Sequence, residues 1–110
     1  MKGAFMAQLV NVNDFETEVL GSSLPVLVDF FADWCGPCKM MSPVVDALAT
    51  QLADKIKICK CNVDDNGAIA EKYGIMSIPA FIIFKGGQPV SNKVGASSPD
   101  EFKKWIEENI

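Results

Sequence analysis

The chain has 110 residues, of which 49% are hydrophobic and 22% charged, an ordinary globular composition. That length suits one domain able to bury a core without staples, and residues 1–110 read as a single unit. A net charge of -4, with ten lysines and no arginine, argues against nucleic acid as a main partner; the absence of histidine removes histidine general bases, Cys–His nucleophile pairs and histidine metal sites.

The first six residues hold too few apolar side chains for a secretory signal, and no later run reaches membrane-spanning length. The expectation is a cytoplasmic protein away from membranes, where four cysteines favour catalytic or free thiols over a stapling framework. Residues 6–10 read as a short strand with imperfect alternation. At Asn13-Asp14-Phe15-Glu16 a helix start is signalled, with Asn13 as cap and Glu16 reaching back to it; Phe15, Val19 and Leu20 face inward and Gly21 offers a stop. Residues 25–32 are apolar and partly β-branched, a buried strand whose one charge is Asp29.

Directly after that strand comes Trp34-Cys35-Gly36-Pro37-Cys38-Lys39, followed by Met40, Met41, Val44, Val45, Leu48 and Leu52 at helical spacing. The spacing predicts a helix over 35–53. Cys35 and Cys38 then sit one turn apart on one face and can close a small disulfide ring. At a helix start the unpaired backbone N–H groups and the helix dipole favour a thiolate, so Cys35 is the natural nucleophile and its pKa should fall. Cys38, a turn further in, should be less exposed and suited to attack second. Pro37 in the first turn costs no hydrogen bond and stiffens the loop. Within the helix, Pro43 cannot donate to the carbonyl of Lys39 and should kink the axis. As a staple, so small a ring would remove little unfolded-state entropy. As half of a zinc site it would need Cys59 and Cys61, whose C-x-C spacing is tighter than usual.

Residues 56–63 form a second apolar run, so the two strands and the intervening helix make a right-handed parallel crossover with the cysteine pair at a strand's C-terminal end. Asp29 and Lys60 are the charges inside these strands. Either they mark an edge or a buried pair, or Asp29, desolvated beneath the helix, has a raised pKa and exchanges protons with Cys38, directly or through a water. Cys59 and Cys61 point to the same face of one strand, too far apart for good disulfide geometry, and read as buried free thiols. Asn66 can cap a short helix through Ile69, Ala70 and Tyr73, stopped by Gly74. After it, Met76-Ser77-Ile78-Pro79 enters a strand; Pro79 on its own would be expected to be trans. Gly86-Gly87 signals a two-residue hairpin, and Pro89 puts the last strand at the sheet edge. Ser98-Pro99-Asp100-Glu101 combines a cap, an N-terminal proline and a reciprocal glutamate, opening a helix with Phe102, Trp105, Ile106 and Ile110 inward.

These motifs together resemble the thioredoxin family. The W-C-G-P-C-K stretch is highly specific, and the likeness extends through Val28-Asp29-Phe30, Lys60-Cys61-Asn62-Val63-Asp64, Tyr73-Gly74-Ile75, Ser77-Ile78-Pro79, Phe84-Lys85 and Lys93-Val94-Gly95-Ala96. The resemblance implies an α/β thioredoxin fold, a central five-stranded mixed β-sheet flanked by four helices, with strand order 1-3-2-4-5. It implies a cis Pro79 facing the dithiol and assigns proton-transfer roles to Asp29 and Lys60. Ala80 stands where thioredoxins commonly carry threonine, a departure that should alter local packing more than chemistry.

By the same resemblance the expected activity is protein-disulfide reduction. Cys35 attacks a substrate disulfide, and Cys38, deprotonated with help from Asp29, resolves the mixed disulfide. The substrate surface should be an apolar rim of Trp34, Gly36, Pro37, Met76, Ile78, Pro79, Gly95 and Ala96. Met76 holds a position often charged or polar in the family, so partner preference should differ. No cofactor need be bound, and no dinucleotide fingerprint is present; electrons would arrive from NADPH or ferredoxin through a thioredoxin reductase. The expected partners are that reductase and diverse disulfide-containing proteins, met by a monomer. The rival readings are an oxidase or isomerase of the same fold, or a thioredoxin-like binding subunit of a larger complex.

Overall fold

The computed structural model of the chain describes residues 8–9 and 12–110. In order these form β1 (Gln8–Leu9), α1 (Val12–Phe15, widening into a π-type helix over Glu16–Leu20), β2 (Val26–Phe31), α2 (Gly36–Gln51), β3 (Lys57–Asn62), α3 (Gly67–Lys72), β4 (Ala80–Lys85), β5 (Gln88–Val94) and α4 (Pro99–Glu108). The strand read over 6–10 survives at Gln8 and Leu9, its other residues lying outside the described ones. Because Val12–Phe15 is helical, Asn13 sits within the first turn and is not the cap that its sequence context suggests.

The five strands make one sheet in the order β1-β3-β2-β4-β5. Strands β1, β3 and β2 run parallel, while β4 and β5 are each antiparallel to the neighbour preceding them in that order. The α2 crossover therefore joins parallel strands, as a connection of that length requires. β2 lies at the centre, so its apolar run is covered on both faces.

Period-two alternation sorts the side chains of the inner strands onto the two faces. Val28, Phe30, Cys59, Cys61, Ile82 and Phe84 pack with Phe15, Val19 and Ile69 of α1 and α3. Leu27, Ile58, Phe81 and Ile83 pack with Met41, Val45 and Leu48 of α2 and Phe102 and Ile106 of α4. Asp29 and Lys60 alternate with the first set and so belong to the α2 face. They are also direct register partners across β2 and β3.

The hairpin between β4 and β5 turns on Gly86 and Gly87 at φ +59 and +80, the paired left-handed conformation of a type I′ turn. Pro89 lies on β5 at the sheet edge, beside a register shift after Ile83. At α4, Ser98 Oγ accepts from Glu101 N at 3.2 Å and donates to Glu101 Oε1 at 3.0 Å, so the reciprocal bond runs through the hydroxyl and not the backbone. One further reading is corrected. Asn66 stands at the N-cap of α3 without a side-chain cap bond; its amide donates to Asn62 O at 2.9 Å. Trp105 faces inward as expected, half-buried against the core with its ring centre 5.8 Å from that of Phe102, and its indole N–H donates to Ser91 Oγ at 3.0 Å.

Candidate active site

β2 ends at Phe31, and the chain turns through Ala32, Asp33 and Trp34 into the N-terminus of α2, with Cys35 N donating to Ala32 O at 3.2 Å. Cys35 occupies the N-cap position in an extended conformation, and its Sγ accepts the otherwise unpaired N–H of Cys38 at 3.2 Å. A sulfur thus fills the place where a serine or aspartate oxygen usually caps a helix. Cys35 and Cys38 are disulfide-bonded with their Cα atoms 5.3 Å apart. Pro37 lies in the first turn, where the N–H it lacks would have had no helical partner.

The expectation that Cys38 is the less exposed of the pair does not hold: Cys35 is 4% exposed and Cys38 6%. In the disulfide form both sulfurs are walled in by Ala32 and by half-buried Phe31, Val63 and Ile78. One turn of helix separates them along the axis, but the N-cap position turns Cys35 inward as well.

The remaining rim residues come from three loops. Trp34 is 70% exposed, and its indole N–H donates to Asp64 Oδ2 at 2.8 Å. Asp64 N donates in turn to Asn62 Oδ1 at 2.9 Å. This tether from the β3–α3 loop escaped the sequence reading, since nothing local to Asp64 or Asn62 announces a contact thirty residues away. Gly36 and Pro37 are exposed beside it. The Ile78–Pro79 peptide is cis, as the family resemblance implied and the lone dipeptide did not. Pro79 is buried and its carbonyl accepts from Gly95 N at 2.8 Å, which joins the β4 entrance to the end of β5. Gly95 has φ +90, a conformation that a side chain would strain, and Ala96 next to it is exposed. Met76 is 96% exposed and stands outside the cluster that walls in the sulfurs.

Beneath the disulfide a cleft of about 370 Å³ is lined by Asp29, Ala32, Asp33, Cys38, Ser42 and Lys60 among others. Asp29 is 2% exposed, and its Oδ1 has no hydrogen-bond partner among the described residues. Burial pushes its carboxyl from the ordinary 3.8 up to about 7, with Lys60 opposing the rise and Asp46 adding to it. The edge reading does not hold, and Asp29 and Lys60 are coupled through space as register partners without forming a salt bridge. β2 is an interior strand, and no ion pair joins Asp29 to Lys60 among the described residues. The Lys60 ammonium instead donates to Ser42 Oγ at 3.2 Å and lies 5.0 Å from the centre of the Phe31 ring.

Cys59 and Cys61 are free and fully buried on the opposite face of the sheet, so they do not complete a four-cysteine set with Cys35 and Cys38. Burial pushes both thiols up to about 11. Among the described residues no group of three or more Cys, Asp or Glu could hold a metal ion, and no helix is long and apolar enough to cross a membrane.

A disulfide at the start of a helix, at the C-terminal end of a central parallel strand, takes up two electrons and two protons on becoming a dithiol, and the dithiol returns them to other disulfides by exchange. Fold and site together define a thiol–disulfide oxidoreductase. The family model for thioredoxin matches residues 6–108. Thioredoxin of Rickettsia felis is 45% identical over 96% of this chain and 100% of its own length. Thioredoxin of Haemophilus influenzae is 45% identical over the same shares. Thioredoxin 1 of Synechococcus elongatus is 54% identical over 96% of this chain and 98% of its own. The chain belongs to the thioredoxin family, and Cys35-Gly36-Pro37-Cys38 is its redox-active disulfide motif.

Proposed function

We propose that the protein, acting as one domain over residues 1–110, reduces exposed disulfides in other proteins. The observation that carries this reading is the Cys35–Cys38 disulfide capping α2, with the Cys38 N–H directed at the Cys35 sulfur. In the reduced protein the same N–H and the helix dipole favour negative charge on Cys35, making it the attacking thiolate.

Cys35 Sγ⁻ attacks one sulfur of the substrate disulfide; a mixed disulfide forms and the other substrate sulfur leaves as a thiolate, which takes a proton from water. Cys38 then gives its proton to Asp29, directly or through a water, and attacks Cys35 Sγ. The mixed disulfide breaks, the second substrate thiolate leaves, and the two electrons now reside in the substrate while the protein holds Cys35–Cys38. A carboxyl raised to about 7 by burial suits this step, because it takes up and releases a proton near neutral pH. Lys60 tempers the proton affinity of Asp29 from the neighbouring strand.

Trp34, Gly36, Pro37, Met76, Ile78, Pro79, Gly95 and Ala96 form the surface against which the substrate backbone and apolar side chains lie. Thioredoxin reductase restores the dithiol with electrons from NADPH or ferredoxin. The protein works as a monomer in the cytoplasm on diverse disulfide-containing proteins, and nucleic acid is not a partner.

A trapping experiment tests the order of attack. Cys38→Ser should accumulate a mixed disulfide with a protein substrate through Cys35, while Cys35→Ser should accumulate none. Adducts at Cys38 in Cys35→Ser, with none at Cys35 in Cys38→Ser, would overturn the assignment.

A further inference from the structure

Cys38, Ser42 and Asp46 follow one another at four-residue spacing, so they lie along one face of α2 above the strands that carry Asp29 and Lys60. Lys60 is the direct register partner of Asp29, and side chains at paired positions project to the same side of the sheet. An ammonium beside a nearly dehydrated carboxylate would be expected to close on it. It does not: among the described residues no ion pair joins the two and Asp29 Oδ1 has no partner, while Lys60 Nζ is bound to Ser42 Oγ at 3.2 Å and packed over Phe31.

We propose that Ser42 is a positioning residue whose hydroxyl holds the Lys60 ammonium off the Asp29 carboxyl. The competition is local and specific. A hydroxyl one turn beyond Cys38 offers the ammonium an acceptor on the helix side of the cleft, and the Phe31 ring supports it there. Held so, Lys60 lowers the proton affinity of Asp29 only through space. Released, it could contact the unpartnered oxygen directly, and an opposite charge brought within ~4–6 Å favours ionisation of a carboxyl. The other charged groups around Asp29 are Asp46 on α2 and, lining the same cleft, Asp33 and Lys39, while Cys38 titrates only in the reduced protein; on its other side β4 presents uncharged Phe81. Burial sets the proton affinity of Asp29, and Ser42 thereby limits how far Lys60 lowers it. This consequence for turnover rests on the proposed role of Asp29; the positional claim does not.

The test follows the Asp29 side-chain carboxyl carbon by NMR against pH in the oxidised protein, where no thiol chemistry intervenes. Ser42→Ala should move the Asp29 midpoint down by about one pH unit, the lower end of the effect of a close opposite charge. Ser42→Thr, which keeps a hydroxyl, should restore it. In a Lys60→Gln background Ser42→Ala should have no effect. A midpoint that stays or rises in Ser42→Ala, or falls equally without Lys60, overturns the proposal. If the midpoint moves as expected but the pH profile of disulfide reduction does not follow, Asp29 is not the proton acceptor for Cys38, and the positioning role of Ser42 stands without it.

Discussion

Replacing Asp29 by asparagine tests the central electrostatic feature of the molecule. Its carboxyl is pushed from the ordinary 3.8 up to about 7 chiefly because folding removes it from water, and among the described residues nothing bonds its Oδ1. Between those values the folded protein keeps a proton that the unfolded chain has released. The unfolded state therefore binds fewer protons, and stability falls as pH rises through the window. At about 1.36 kcal/mol per pH unit, the full separation amounts to about 4 kcal/mol, absent below the ordinary value and complete above about pH 7. More than half of it develops between about pH 5 and about pH 8. Asparagine is neutral throughout, so Asp29→Asn should gain that amount over wild type across this interval. Urea unfolding of both oxidised proteins at the two pH values measures it, and comparing the change with pH cancels the fixed packing cost of the amide. If the two proteins lose stability in parallel, the buried carboxyl is not the group titrating near neutrality. The proton-acceptor role would then lose its physical basis.

The other expectations concern packing and turns. Gly87→Ala should cost more than Gly86→Ala, since both residues have positive φ, worth about 1–2 kcal/mol for a side chain, but only at Gly87 would a Cβ come within 3.0 Å of Leu20 O; equal urea midpoints would remove that contact from the account. Ser98→Ala should lower stability by about 1 kcal/mol in the same assay, through loss of the Glu101 N–H acceptor. Cys59 and Cys61, fully buried and with thiols pushed up to about 11, should react with an aromatic disulfide reagent only as the oxidised protein opens, at rates rising with denaturant. Immediate reaction of both at neutral pH would contradict their burial.

Much of this protein is determined by sequence alone, wherever the governing interaction is local. The Gly86-Gly87 turn, the Ser98 cap and the closure of Cys35 on Cys38 depend on residues within a turn or two of one another, and each is found where spacing puts it; the α2 stripe holds at Met41, Val45 and Leu48, whereas Met40 is 70% exposed. Pro89 similarly marked β5 as an edge strand, because a missing N–H is a local fact with a sheet-wide consequence. The single-sequence reading erred where a longer-range or competing bond prevailed. Asn66 bonds to Asn62 O in place of capping α3, and Cys35 is as buried as Cys38 because Ile78 and Val63, remote in the chain, close over both. Only the tertiary structure decided the state of the charged cleft. Asp29 and Lys60 could be recognised as anomalous in their strands, but their relation depends on register between strands and on a helix laid across them. That arrangement removes water from Asp29 while giving Lys60 a hydroxyl on α2 as its partner, and desolvation by elements distant in sequence is a quantity that no local pattern contains.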